Sequence, residues 1–254
     1  MATEIPAKPA DQAAFNRLWA DNYDGRTTGI IEGLPIQPTW RCLDAGAGSG
    51  SMSYWLADRV PQGSVIAIDT DVSLLDPGYA PNLIVEQADV SVKEPDGSAG
   101  LDLILIRAVL SLVPDPGKLI ARAVSWLAPG GWLLAEDFYF MPAADSPTAI
   151  GRKVGEIYIR AFESSGAKPQ VGRQLASALA RVGLTGVRTS IRPLGPGESE
   201  TQNALMRARM ELQGPALVDS GALAKEDIDQ FVAALYRPEC QDVTTLLFSV
   251  WGQR

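Results

Sequence analysis

The stretch Arg41-Cys-Leu-Asp-Ala-Gly-Ala-Gly-Ser-Gly50 decides how this chain is read. Its apolar start belongs to a short strand over 40–45, and its end opens a helix over 50–60. Between them lie Asp44, Gly46, Gly48 and Gly50. Alternating glycines permit a tight turn and let the backbone come close to a ligand. The helix that follows offers free N–H groups at its N-terminus. Working outward, Ser64-Val-Ile-Ala-Ile-Asp69 reads as a second strand, 82–87 as a third and Leu101-Asp-Leu-Ile-Leu-Ile-Arg107 as a fourth. A helix over 118–127 leads through Pro129-Gly130-Gly131 into a fifth strand over 132–136. Nearly all-apolar strands separated by helices indicate a parallel sheet covered on both faces.

Upstream, residues 1–11 are rich in Pro and Ala and read as a loose arm. A helix follows over 11–23, with Phe15, Leu18, Trp19 and Asn22 on one side, and then a Gly/Pro-punctuated approach over 25–38. Downstream, helices are expected over 146–165, 171–182, 199–213 and 225–236, with strands over 186–192 and 243–251. The expected fold is α/β: a parallel sheet of seven strands with a helical cap. It is expected as a single domain, with an N-terminal helical arm over 1–38 and a core over 39–137 plus 171–192 and 243–254. Helical insertions over 138–170 and 195–240 would form the cap.

Composition narrows the chemistry. The chain has 254 residues, 22 basic, 30 acidic and no histidine. A Ser-His-Asp triad, a His-ligated metal and a His general base are therefore excluded, and no metal is expected. The net charge of −8 disfavours nucleic acid as a partner. Residues 1–150 carry 9 basic and 19 acidic side chains, whereas 151–254 carry 13 and 11. The acidic half holds the glycine turn, so a ligand there must tolerate carboxylates. No window has the apolar length of a membrane span, and no secretory signal is visible at the N-terminus. Two cysteines, Cys42 and Cys240, make no disulfide framework, which suits the cytoplasm.

Taken together, Leu43-Asp-Ala-Gly-Ala-Gly-Ser-Gly50, Val65-Ile-Ala-Ile-Asp69, Gln87-Ala-Asp-Val90 and Leu127-Ala-Pro-Gly-Gly-Trp-Leu-Leu-Ala-Glu-Asp137 resemble the class I S-adenosylmethionine-dependent methyltransferases. The likeness covers about residues 11–192 and, more loosely, the C-terminal strand. Gly166-Ala-Lys-Pro, Gly172-Arg and Val250-Trp-Gly252 add a looser similarity to a bacterial subgroup that modifies small molecules. The resemblance implies a Rossmann-like, doubly wound, mostly parallel seven-stranded sheet with the last strand antiparallel, and S-adenosyl-L-methionine as cofactor. It implies contacts to it from Asp44, Gly46, Ala47, Gly48, Asp69, Thr70, Ala88, Asp89, Val90 and Arg107. Asp69 would accept hydrogen bonds from the ribose hydroxyls, and Asp89 from the adenine amine. One departure stands out: where many relatives carry a histidine before Val-Pro-Asp, this chain has Leu112. A nicotinamide dinucleotide fits less well. Its usual Gly-x-Gly-x-x-Gly seats a pyrophosphate on the helix N-terminus, and Asp44 would repel that group but attract a sulfonium.

Each acid has a second reading. Asp44 can hold the cofactor's amino group or cap the turn, and Asp89 can close a turn of its own. Arg107 can bind the cofactor carboxylate or serve as a structural ion-pair partner. Glu136 and Asp137 at the end of the fifth strand, and Tyr23, are the candidate catalytic groups; capping and packing are their alternatives. Phe138, Tyr139, Phe140 and Met141 could wall a substrate pocket, as could Leu205, Met206 and Met210 in the cap. The expected function is methyl transfer to nitrogen, carbon or oxygen of a small apolar or aromatic molecule in natural-product biosynthesis, by in-line displacement driven by positioning. A methyltransferase-like protein that catalyses cyclisation is the alternative, as is a non-catalytic binding protein. The N-terminal helix and cap are candidate homodimer surfaces.

Overall fold

The computed structural model describes residues 9–254; the first eight residues of the expected arm lie outside them. Seven strands form one sheet in the order β3-β2-β1-β4-β5-β7-β6. They are β1 Arg41–Ala45, β2 Ser64–Asp69, β3 Leu83–Gln87, β4 Leu101–Arg107, β5 Leu127–Phe140, β6 Thr185–Leu194 and β7 Thr245–Gln253. Strands β3, β2, β1, β4 and β5 run parallel, in registers such as Leu43 opposite Ile66 and Ile104. β7 is antiparallel to β5: Gly130 N–H donates to the Arg254 carbonyl, and Met141 N–H donates to the Thr244 carbonyl. This is the expected mostly parallel sheet with a reversed last strand.

Helix α1 is Pro9–Glu32, α2 Ser51–Arg59, α3 Pro116–Trp126, α4 Ala149–Ser164, α5 Val171–Arg181, α6 Glu200–Asp219 and α7 Lys225–Ala234. Caps set several starts. Asp115 accepts from Lys118 N–H and Pro116 follows it, so α3 begins earlier than 118. Thr148 accepts from Gly151 N–H, so α4 begins at Ala149 rather than 146.

Three elements run longer than expected. α1 continues through Gly25 and Gly29, where glycines and the following prolines suggested an irregular approach. Each glycine costs the helix about 1 kcal/mol. Burial of Thr27 and Ile31, both 0% exposed, offsets that cost. β5 begins at Leu127, so Pro129-Gly130-Gly131 lies inside the strand instead of preceding it. There the ladder shifts register between Leu101 and Leu103. A Cβ on Gly131 would lie 2.7 Å from the Leu101 carbonyl oxygen, which is why a bulge of this kind takes glycine. α6 runs on through Gly214 and Pro215 to Asp219, past the expected end at 213. Gly214 lets the helices close: a Cβ there would meet Ile228 of α7 at 2.8 Å.

The chain divides into two compact units. The sheet unit comprises residues 26–138, 170–191 and 248–254. Its core gathers Ile31, Met52, Leu56, Val65, Leu103 and Leu134. The central strands β1 and β4 are buried nearly throughout, as strands covered on both faces must be. The strand order reverses direction between β1 and β4. In open α/β sheets, the crevice beyond the strand ends at such a switch point is where ligands bind. The helical unit comprises residues 139–169 and 192–247 with the described part of 1–25, and has its own core of Ile150, Val154, Met210, Leu223, Phe231 and Leu235.

Candidate cofactor site at the switch point

The turn after β1 is pinned by its own backbone. The N–H groups of Gly46 and Ala47 both donate to the Ile68 carbonyl, at 2.8 and 3.1 Å. Gly46, Gly48 and Gly50 adopt φ of 82°, 56° and 83°, the left-handed region that favours glycine. Space divides the three. A Cβ on Gly46 would lie 2.1 Å from Val109, and one on Gly50 would lie 2.7 Å from Leu75 and from Tyr54. A Cβ on Gly48 would meet nothing within 4 Å. Gly46 and Gly50 are thus closed off by the protein's own side chains. Gly48 faces open space, where the backbone can approach a ligand.

The acids stand around this turn. Asp69 ends β2, and its Oδ2 accepts from Gly48 N–H at 2.8 Å while its Oδ1 accepts from Asp71 N–H at 3.1 Å. Ala88 N–H donates to the Asp69 carbonyl at 2.9 Å, drawing the ends of β2 and β3 together. The exposed Asp89 closes an Asx turn through Ser91 N–H at 2.8 Å, Thr70 is exposed, and Val90 is buried. Asp44 is 3% exposed and accepts from Ser53 Oγ of α2 at 2.6 Å. It therefore ties the glycine turn to the helix whose N-terminus faces the crevice.

The end of β4 carries strain. Ala108, at φ 56°, is the one non-glycine residue with positive φ among the described residues. That conformation costs about 1–2 kcal/mol for an L-residue. It is held by Ala108 N–H donating to the Glu136 carbonyl at 2.8 Å. Such outliers collect at functional sites. Beside it, Arg107 reaches Thr27 Oγ1 at 3.3 Å and Ser51 Oγ at 3.5 Å.

Glu136 and Asp137 do not stand as free bases. Glu136 is 0% exposed, and its two oxygens accept from Thr27 Oγ1 and Ser249 Oγ, both at 2.5 Å. It joins α1, β5 and β7 through buried charge-assisted hydrogen bonds. Asp137 is also 0% exposed and accepts from the N–H groups of Ser111 and Phe138, at 2.9 and 2.8 Å. Burial pushes its carboxyl up to about 6, against the pull of the N–H groups of Phe138, Ser111 and Leu110. Both side chains point into the fold and brace it. Both carboxylates are engaged by internal partners, so either could act as a base only if those partners released it. Sequence reading missed Thr27, Ser249 and Val109, because their partners are far away along the chain, and Ser53, which meets Asp44 nine positions away across the turn.

Tyr23 lies in the helical unit. It is buried against Trp19, with ring centroids 4.6 Å apart, and burial pushes its phenol up, opposed by Arg209, Arg192 and a hydrogen bond with Gln202. The same unit holds a cavity of about 110 Å³ that is partly open to solvent. Phe140, Met141, Met206 and Met210 line it, together with Tyr158 and Phe231. Leu205 is core instead.

With this geometry in hand, residues 7–189 match the family model described as a methyltransferase domain. The methyltransferase str2 of Strobilurus tenacellus is 28% identical over 211 residues, covering 78% of this chain and 76% of that protein. The solved structure of Haemonchus contortus phosphoethanolamine N-methyltransferase 2, in complex with phosphomonomethylethanolamine and S-adenosylhomocysteine, is similar in fold at TM-score 0.61 and 13% identity. It covers 91% of this chain, which spans about half the length of that protein (53%). The [4+2]-cyclase SpnF matches at TM-score 0.58 and 14% identity, over 91% of this chain and 80% of its own. The chain belongs to the methyltransferase domain family, as a class I S-adenosylmethionine-dependent methyltransferase. No described helix is long and apolar enough to cross a membrane.

Proposed function

We propose that this enzyme methylates a small molecule with an apolar or aromatic body, in natural-product biosynthesis. The observation that carries the reading is the unequal glycine turn, closed at Gly46 and Gly50 and open at Gly48 above the acid that ends β2. A cradle that a Cβ would fill, bordered by carboxylates, suits a cationic adenosyl ligand. In this proposal Asp69 and Thr70 border the ribose, and Ala88, Asp89 and Val90 border the adenine. Gly46, Ala47 and Gly48 offer backbone, and Arg107 and Asp44 flank the methionine end. S-adenosylmethionine supplies an electrophilic methyl group on a neutral leaving group.

The chain's part is then to bind, orient and exclude water. With Glu136 and Asp137 committed to internal partners, the acceptors that fit are those needing no strong base: a neutral amine, a carboxylate or an electron-rich carbon. The cavity of the helical unit supports the apolar substrate class, since apolar and aromatic side chains make up most of its lining. Calorimetric titration with S-adenosylmethionine, followed by the mass of the product, tests the proposal. A product heavier by one methylene is expected; absence of cofactor binding would overturn the reading. The fold's likeness to SpnF favours one second reading, a cyclisation in a cofactor-loaded protein, which predicts a product of unchanged mass.

A further inference from the structure

The cavity of the helical unit is apolar along most of its wall, with one cation among its lining residues. Arg209 of α6 sits there with Phe140, Val154, Tyr158, Met206 and Met210. Its guanidinium carbon lies over the rings of Phe15 and Tyr158, at 5.7 and 5.4 Å from their centroids. Among the described residues Arg209 forms no salt bridge, whereas Lys153 and Lys225 of the same unit pair with Asp227 and Asp229. Aromatic faces stabilise a guanidinium but leave its N–H hydrogens without strong acceptors. A second group on the same wall is also unsatisfied. Ser146 Oγ is buried and has no hydrogen-bond partner. Leaving a buried hydroxyl unpaired is costly, and a polar ligand atom removes that cost.

We infer that this cavity binds a monocarboxylate with a flat apolar body, its carboxylate held by Arg209 and its body laid among the aromatic and methionine side chains. Resting on the proposed function, this names the substrate class. A guanidinium fork matches a carboxylate bidentately. A phosphate dianion fits less well: Asp145 and Asp242 also border the cavity, and among the described residues no second cation lines it. The anion is bound in a chain of net charge −8, so without a local cation it would be repelled.

The test uses the full-length protein loaded with S-adenosylhomocysteine and three probes: trans-cinnamate, the neutral isostere cinnamyl alcohol, and phenyl phosphate. Calorimetry on the wild type is expected to rank cinnamate about tenfold or more above both others. Equal binding of acid and alcohol, tighter binding of the phosphate, or no binding of any probe would each overturn the inference. Arg209→Met keeps the apolar bulk and should bring cinnamate down to the level of the alcohol, while S-adenosylhomocysteine binds as before. Undiminished cinnamate binding by that variant overturns the assignment of Arg209. Should Arg209→Met fail to fold, the wild-type ranking still decides. If the wild type does not bind S-adenosylhomocysteine, it is the functional reading that has failed, whatever the probes do.

Discussion

The sites proposed in the two units have opposite chemistry. The sheet unit offers backbone and carboxylates: a glycine turn, Asp69, Asp89 and the strained end of β4. The helical unit offers apolar side chains and one guanidinium over two rings. In the first, specificity comes from main-chain geometry that few sequences can adopt, so the residue types are dictated. In the second, many apolar side chains would serve, so the sequence is free to vary and directional information rests on Arg209 and a few polar neighbours such as Ser146. The comparison can be broken by substitutions whose effects should fall on one quantity and spare the other.

The largest effect is expected at the acid that ends β2. Asp69→Ala removes the proposed ribose acceptor and should weaken S-adenosylmethionine binding about a hundredfold, close to 3 kcal/mol. Its hydrogen bonds to Gly48 and Asp71 are exposed, so thermal stability should fall by no more than about 1 kcal/mol. Calorimetry and a melting curve on one preparation read both; unchanged affinity would misplace the ribose.

Next comes a pair of glycines with the same φ requirement but different surroundings. Gly46→Ala must displace Val109 from a 2.1 Å overlap and should cost about 3 kcal/mol of stability, from overpacking and left-handed strain together. Gly48→Ala meets no atom, so its stability loss is the strain alone, about 1 kcal/mol, and its main effect should be on cofactor affinity. Urea unfolding separates them. Equal stability losses would mean that the open space at Gly48 has no functional meaning.

Legibility follows the same division. The parallel strands, the glycine turn and the acids at the ends of β2 and β3 could be read because each shows in a local pattern or in a particular residue type at a set distance from its neighbours. α1 was misjudged where Gly25 and Gly29 argue locally for a break; burial of Thr27 and Ile31 by distant strands overrides them, and no local signal reports that. Glu136 looked like a site residue because it ends a strand at the ligand-binding edge. Its partners Thr27 and Ser249 are 109 and 113 positions away. Arg209 stood in a helix noted for its methionines, but Phe15 and Tyr158 come to it only through folding.

Asp137 gives a smaller, pH-dependent effect. Its folded-state pKa, about 6, lies above the ordinary 3.8, so the native state holds a proton that the unfolded chain has released. The stability this supplies is full below about pH 4, is lost as pH rises through about 6, and is worth up to about 3 kcal/mol. Asp137→Asn cannot titrate. The difference in unfolding free energy between wild type and variant should therefore shift in the variant's favour between about pH 4 and 6 and stay level outside that window. A difference that stays flat across it would mean the buried carboxyl ionises at its ordinary pKa.

The smallest effect on catalysis is expected where the sequence pointed most directly to a base. Glu136→Gln keeps the shape of the side chain and one acceptor, but turns the other oxygen into a donor facing a hydroxyl. Thr27 or Ser249 must then rotate its hydroxyl to accept, which should cost about 1–2 kcal/mol of stability. The reacting atoms lose nothing, because both oxygens were already spent inside the sheet unit. Turnover of the folded variant should stay within about threefold of wild type, with an unaltered pH profile. A loss of a hundredfold or more at constant fold would return Glu136 to the reaction, and would require Thr27 or Ser249 to release it when the substrate binds.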